Sequence, residues 1–553
     1  MNEVKNRLEK IKITDEYIKN TKRKDFRNEL VFTIDPYTSK DLDDAIHVKI
    51  IDEKEKLLEI GVHIADPTTY VEENSLLDKE ALNRATSVYL VQKKISMLPL
   101  ILSDDVCSIM PKKDTLTISC IFRIYLNSGK LDRNFQKYFC LSVVNSRAKW
   151  DYDLVQKIID KKEVNYNDLK FEDGTKPETE EIFEQLKKSV EILYQLTKLV
   201  RKERFDSGSL QIDNDDIYFD LDEYSQPKDF HISVKNESHN LIEELMLISN
   251  FLCAQYIYKN LKEYSLIRRH PFFNDNKFNE IQRYFSLNKM NPDFDDPTEI
   301  NKLLTKIKIN NYNKYLCIQH KLKFFVLRAE YVFAGNYSLE ELKHSSLNLD
   351  LYTHFTSPIR RYPDIIVHRQ LKEIFKLNNK EIDKSDFQKF EVYFPFIEHI
   401  NDRYNSARLI SQKSKRLFQY IYLKTATKKL YTALIMDIIS KNNNKKGTTN
   451  PYTINTMNNY VNLENNSNNN EEDDFYLILF VPELNLELEW RKPDNEEIVL
   501  YKYDKVKNEL YIDYMIDKEC KNKYLRCFDA LQVELISVDS IPIDIKCKID
   551  LTK

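Results

Sequence analysis

Glycine is scarce in this chain: six in 553 residues, at Gly61, Gly129, Gly174, Gly208, Gly335 and Gly447. A typical chain holds about 7%. Neither GxGxxG nor GxxxxGK[ST] occurs, which excludes a glycine-rich phosphate loop. The eight cysteines are scattered, with no CxxC pair. That pattern excludes a zinc ribbon and points to reduced thiols, in the cytoplasm first and the nucleus second. No uncharged apolar run approaches ~20 residues, so no membrane helix is expected. Residues 1–30 are charged and lack an apolar core, so no secretory signal is expected. Charge of one sign is missing too, since the net value is −4. No global basic field therefore marks a nucleic-acid binder, although a near-neutral chain can still hold a basic channel.

What is present is length and pattern. A chain of 553 residues exceeds one hydrophobic core, so two to four domains are expected. Residues 1–30 read as a polar, largely helical lead-in. Strand-like runs follow at 30–34, 45–51, 57–64 and 116–125, with a helical segment near 75–84. Helices are expected over 179–206, over 239–261 with a strongly amphipathic pattern, and over 389–424. Residues 442–474 are asparagine-rich, low in complexity and expected to be disordered. They interrupt a tail of short apolar strands that suggests a small β-barrel.

Two stretches carry chemistry. In TIDPYTSKDLDDA, Asp35, Asp41, Asp43 and Asp44 crowd beside an apolar strand. Carboxylates this close resist ionising together, so either water screens them or a cation sits among them. Asp41 and Asp43 share a face in extended backbone. Magnesium takes such clusters together with substrate phosphates, and two ions about 4 Å apart form a clamp for phosphodiester hydrolysis. The competing reading is a solvated acidic turn. In THFTSPIRRYPDIIVHR, Ser357 and Pro358 read as a helix N-cap and first residue. Pro363 cannot lie deep in a helix, so Arg360 and Arg361 are expected on a turn before it. Two guanidiniums there could clamp phosphate. The competing reading is a pair of surface arginines.

These stretches, with GVHIADPTTYV, DKEALNRATSVYLVQKKISMLP, SHNLIEELML and LIRRHP, resemble the catalytic domain of the RNase II/RNB exoribonucleases. The blocks fall in family order over about 30–372. The eukaryotic branch fits best, the exosome-independent paralogues ahead of the exosome catalytic subunit. The resemblance implies an α+β fold: a mixed β-sheet surrounded by helices over 30–430, after a lead-in of 1–29. An S1/OB-like barrel would follow over 431–553, with the insert at 442–474 in one of its loops.

It also implies a processive, magnesium-dependent 3′→5′ hydrolase of single-stranded RNA. Two ions are expected, with manganese able to substitute. Asp35, Asp41, Asp43 and Asp44 match the metal positions, and Asp43 matches the one whose loss stops cleavage but not binding. Arg360 matches the arginine at the attacked phosphate. Tyr89 matches the ring that stacks on the terminal base, a contact worth ~1–3 kcal/mol. Tyr152 and the pair Glu243 and Glu244 match sugar-reading positions, and Arg361 is expected to touch RNA as well. Without the motif, Tyr89 would read as core, and Glu243 and Glu244 as structural partners of Arg or Lys. His63, His239, His354 and His368 read as structural.

Three departures matter. About 30 residues precede the metal motif, too few for the family's two cold-shock domains or a PIN domain. Exosome docking is therefore not supported, and a monomer is expected. Ser345 replaces a usual aromatic, and Pro67 a usual β-branched residue. Some relatives of this fold are silent RNA-binding regulators, but all four aspartates and Arg360 are retained here.

Overall fold

The expected lead-in folds as two short helices, α1 (Asn2–Lys10) and α2 (Asp15–Asn20), the latter capped by Thr14. The computed structural model describes residues 2–212, 216–233, 235–271, 275–294, 296–325, 328–427, 430–440, 475–491, 498–504, 508–516, 519–539 and 544–550. The insert expected at 442–474 lies outside them. Strands β1 (Lys24–Asp25), β2 (Thr33–Asp35), β3 (Asp44–Asp52) and β4 (Leu57–Ala65) come next, then helix α3 (Leu76–Arg84). A hairpin of β5 (Val88–Tyr89) and β6 (Lys94–Ile95) precedes β7 (Asp114–Tyr125), β8 (Tyr138–Asn145) and β9 (Lys149–Asp151). Helices α4 (Tyr152–Ile159) and α5 (Glu180–Asp206) are followed by hairpin β10 (Asp216–Leu221) and β11 (Pro227–Ser233), α6 (Glu237–Leu261) and β12 (Leu266–Arg269). Helices α7 (Asp275–Leu287), α8 (Pro297–Asn310) and α9 (Tyr312–Phe325) precede β13 (Glu330–Phe333), α10 (Tyr362–Asn378) and α11 (Ile397–Thr425). Among the described residues, no helix is long and apolar enough to cross a membrane.

The chain compacts into two units that interleave along the sequence. The first takes residues 1–210, 235–272 and 327–411; the second takes 211–234, 273–326 and 412–553. Compaction therefore does not follow the expected 30–430 and 431–553 division. The second unit draws in the β10–β11 hairpin and helices α7 to α9 from the middle of the chain. The lead-in also belongs to the first unit: Val4 is buried, and Arg7 Nε donates to Thr69 O at 3.3 Å.

In the first unit the sheet order is β1-β8-β7-β4-β3. β7 reads DTLTISCIFRIY, branched and aromatic residues suited to a pleated, buried surface. Its small polar residues share one face, where they build a buried seam. Thr117 Oγ1 and Ser119 Oγ bond Ser142 Oγ at 2.7 and 2.6 Å. His63 Nδ1 meets Ser119 Oγ at 2.6 Å, and His47 Nδ1 meets His63 Nε2 at 2.7 Å. Gly61 makes this possible, because a Cβ there would stand 2.2 Å from the His47 ring.

Helix α6 departs from the expected amphipathic pattern. It packs against α4, α5, α10 and β4, so it buries polar Glu244 and Asn250 as well as Leu241, Leu245 and Leu252. The helix expected at 389–424 is split. A 3₁₀ segment (Lys384–Phe396) ends next to Pro395, and α11 starts at Ile397.

The second unit holds strands β14 (Leu430–Ser440), β15 (Phe475–Val481), β16 (Leu486–Arg491), β17 (Ile498–Asp504), β18 (Glu509–Ile516), β19 (Glu519–Arg526), β20 (Ala530–Val538) and β21 (Asp544–Asp550). Five form a sheet of order β16-β15-β14-β20-β21 whose edge strands also contact each other, so the sheet curls round on itself. Leu477, Leu479, Leu488, Trp490 and Val533 fill its core. The strands β17-β18-β19, read from sequence as part of one barrel, pair in a separate sheet.

Candidate active site

The acidic loop is built by its neighbours. β2 pairs in parallel with β9, setting Asp35 opposite Asp151. Lys149 Nζ donates to Tyr37 O at 3.0 Å and Ser39 O at 2.7 Å, pinning the turn after Asp35. Leu42 is fully buried; its N–H donates to Ser108 Oγ, and its carbonyl accepts from Ile109 N. That anchor fixes the backbone between Asp41 and Asp43. Asp44 opens β3 in register with Ile64.

The distant arginine turn meets this loop. Ile359 N donates to Asp43 Oδ1 at 2.9 Å, and Arg360 Nε lies 3.4 Å from Asp43 Oδ2. Arg360 is 42% exposed along its side chain, open to a ligand. Arg361 differs: it is the N-cap residue of α10, its side chain only 12% exposed, with Nη2 donating to Asp364 Oδ1 at 2.7 Å. The expected pair of clamping guanidiniums is thus split, one facing the acidic loop and one holding the helix start. The cap itself also differs from expectation. Ser357 closes the turn, its carbonyl accepting from Arg361 N at 3.0 Å, and Pro363 sits early in α10, where its missing N–H costs no bond.

The hairpin of Tyr89 is stitched to that turn. Ser87 N donates to Arg360 O at 3.0 Å, and Tyr362 N donates to Ala85 O at 2.8 Å. Asp78 of α3 accepts from Tyr362 Oη at 2.9 Å and from buried Arg369 at 2.7 Å. Tyr89 is 45% exposed, so it is not core. Its hydroxyl pKa is pushed up to about 12, first by burial of the hydroxyl and then by nearby Asp41 and Asp43, against Arg360.

Tyr152 begins α4 directly after Asp151, which caps the helix by accepting from Leu154 N at 2.7 Å. Its ring stacks on His239, with centroids 3.9 Å apart and planes 13° from parallel. Burial, then Asp35 and Asp44, raise its pKa. Glu243 and Glu244 separate. Glu244 is 1% exposed and bound by Arg204 at 2.6 Å and Arg201 at 3.1 Å. Glu243 is 35% exposed, pairs with Arg201 and Lys235, and is near enough to Tyr152 and His239 to bias their ionisation.

The electrostatics are those of an acidic site short of positive charge. Burial raises Asp35 well above its ordinary pKa, and Asp44 and Asp43 add to the shift. Asp43 rises to about 8 and Asp44 to about 6, each from burial first, with Arg360 opposing. Asp35 Oδ2 and Asp43 Oδ2 are buried and accept no hydrogen bond. An unpartnered oxygen on Asp35 and one on Asp43 met only by Arg360 at 3.4 Å fit a hard divalent cation. As the side chains stand, no three acidic, imidazole or thiol groups among the described residues converge on one metal position. Asp41 is turned onto Lys94 Nζ at 2.8 Å, and Asp43 onto Ile359 N.

Lys94, Lys149 and Asp78 carry no spacing signal in the sequence, since each acts on a partner remote along the chain, whereas the cap bond of Asp151 to Leu154 N is local. His239, which the sequence reads as structural, stacks on Tyr152. His63, His354 and His368 are buried.

The RNB domain family matches residues 23–376. The chain is 35% identical over 422 residues to the DIS3-like exonuclease 2 of Schizosaccharomyces pombe, spanning 75% of this chain and 43% of that protein. It is 37% identical over 357 residues to the inactive exonuclease DIS3L2 of Arabidopsis thaliana, spanning 63% and 33%. The chain thus covers less than half the length of either relative. Its fold is similar to that of Mycoplasma genitalium RNase R solved with ribose-methylated single-stranded RNA. The TM-score is 0.76 at 22% identity, over 100% of this chain and 75% of that one.

Proposed function

The chain belongs to the RNB-domain family, and from that premise we propose that it is a processive 3′→5′ exoribonuclease that hydrolyses single-stranded RNA to nucleoside 5′-monophosphates. The observation that carries the reading is the meeting of Arg360 with Asp43 beside the unpartnered buried oxygen of Asp35. Asp35, Asp41, Asp43 and Asp44 would hold magnesium, two ions when fully loaded, with manganese as a substitute. Bound there, the metal supplies the Lewis acidity that phosphodiester hydrolysis needs.

The protein's own groups do the rest. Arg360, half-exposed, offers guanidinium donors to the charge that grows on the phosphoryl oxygens. Tyr89 presents a ring to the terminal base, and a stacking contact of that kind tolerates any sequence. Glu243 and Tyr152 flank the ribose, where a 2′-hydroxyl can both donate and accept. Glu244, bound by two arginines, holds α6 in place rather than reading sugar. Water adds across the P–O3′ bond, so the released nucleotide keeps a 5′-phosphate and the shortened strand regains a 3′-hydroxyl. The curled sheet of the second unit suits single-strand binding of the S1/OB kind. Unpaired cysteines suit a reducing compartment, the cytoplasm first and the nucleus second.

A second reading is a silent RNA-binding regulator, favoured by the likeness to an inactive relative. Single-stranded RNA labelled at its 3′ end, incubated with magnesium and then with EDTA, separates the two. Labelled monophosphate without a ladder, stopped by EDTA, is the expected result. Stable binding without product would replace the enzyme with the regulator.

A further inference from the structure

Two kinds of carboxylate share the acidic loop. Asp35 keeps a buried oxygen with no hydrogen-bond partner, and Asp43 keeps one met only by Arg360 Nε at 3.4 Å. Asp41 has a closer cation: Lys94 Nζ stands 2.8 Å from its Oδ1 and 3.3 Å from Asp104 Oδ1. Lys94 is no loose surface group. It lies on β6 directly across from Tyr89, and its side chain is only 22% exposed. Ser103 Oγ donates to the same Asp104 oxygen at 2.5 Å, which fixes the second anchor.

An ammonium on Asp41 and a divalent ion on Asp41 cannot both be accommodated cheaply, because like charges at contact in a partly buried site repel strongly. We propose that Lys94 is a built-in counter-cation of this centre, holding Asp41 until a second divalent ion displaces it. The loop then takes one ion readily, at the buried oxygens of Asp35 and Asp43, and a second only weakly. Displacement also breaks the tie between Asp41 and the hairpin that carries Tyr89, which links full metal loading to the base-stacking platform. Lys94 is therefore a positioning residue. This inference rests on the reading of the acidic loop as a metal site.

The test is manganese binding to the full chain without RNA, followed by titration calorimetry and by the spin-resonance signal of free manganese. The wild type should bind one ion, with a second at least about tenfold weaker. Lys94→Met should strengthen the second ion about tenfold or more. Lys94→Arg, which keeps the charge, should leave it weak. Asp41→Asn added to Lys94→Met should remove the gain. If Lys94→Met does not fold by circular dichroism, Lys94→Gln carries the same expectation. Equal binding of two ions by the wild type, or a second ion unmoved by loss of the lysine charge, would overturn the proposal. A chain that binds no manganese in any form would instead overturn the metal reading beneath it.

Discussion

At the residue scale, the two glutamates on α6 differ in burial and in partners. Glu244 is a buried carboxylate held by Arg201 and Arg204. Removing one partner of such a group typically costs about 3–5 kcal/mol. Glu244→Ala should therefore lower the apparent unfolding midpoint sharply, and differential scanning fluorimetry reads this directly. Glu243→Gln should leave the midpoint nearly unchanged and weaken the preference for RNA over DNA of the same sequence. Tyr89→Ala should cost one stacking contact, ~1–3 kcal/mol, read as weaker binding of a short oligonucleotide to a cleavage-dead chain. The four aspartates were legible in sequence because they fall within ten residues of each other. Lys94 was not, since its bond to Asp41 depends on a hairpin that folds back over the loop.

At the element scale, the clamp between α3 and α10 sets the distance between Tyr89 and Arg360. Asp78 accepts from both Tyr362 and Arg369, and Arg369 also donates to Tyr393 Oη at 2.8 Å. Asp78→Ala leaves Arg369 buried without its carboxylate. It should cost several kcal/mol and also raise KM, because α3, which leads into the hairpin, loses its side-chain tie to α10. An Asp78→Asn chain, which keeps one acceptor, should recover part of both losses; a fall in midpoint with KM unmoved would detach the clamp from the site. Gly61→Ala should fail more completely. The added methyl meets the His47 ring at 2.2 Å in a strand buried on both faces. Element positions were largely legible: β4, β7, α3 and α5 lie where period-2 and period-3.6 patterns set them. Helix α6 does not follow its amphipathic reading, because α4, α5 and α10 cover most of its surface and leave it without a broad polar face.

At the scale of the whole molecule, acid should weaken the fold through buried histidines. Burial lowers His47 and His368 to about 4, and His63 falls as well. The unfolded chain therefore takes up these protons first. Stability is full above about pH 6.5 and is lost as pH falls toward 4, about 3 kcal/mol for each of His47 and His368. The raised carboxylates of the acidic loop act in the opposite sense in metal-free protein, where protonation relieves them. The clean measurement is thus a difference: the wild type should lose more stability from pH 7 to 5 than His47→Gln does, and equal losses would remove the histidine account. The interleaving of the two units was not legible, because the segments at 211–234 and 273–326 carry no linker composition to mark where the chain leaves one core for the other.

The central claim is that the acidic loop and Arg360 form one hydrolytic centre. Single-turnover cleavage and equilibrium binding of the same single-stranded RNA, by wild type and by Asp43→Asn, test it most directly. Asparagine keeps the acceptor for Ile359 N but removes the charge. Binding should stay within a few-fold while monophosphate release falls at least about a hundredfold. Release at the wild-type rate by Asp43→Asn would contradict the account.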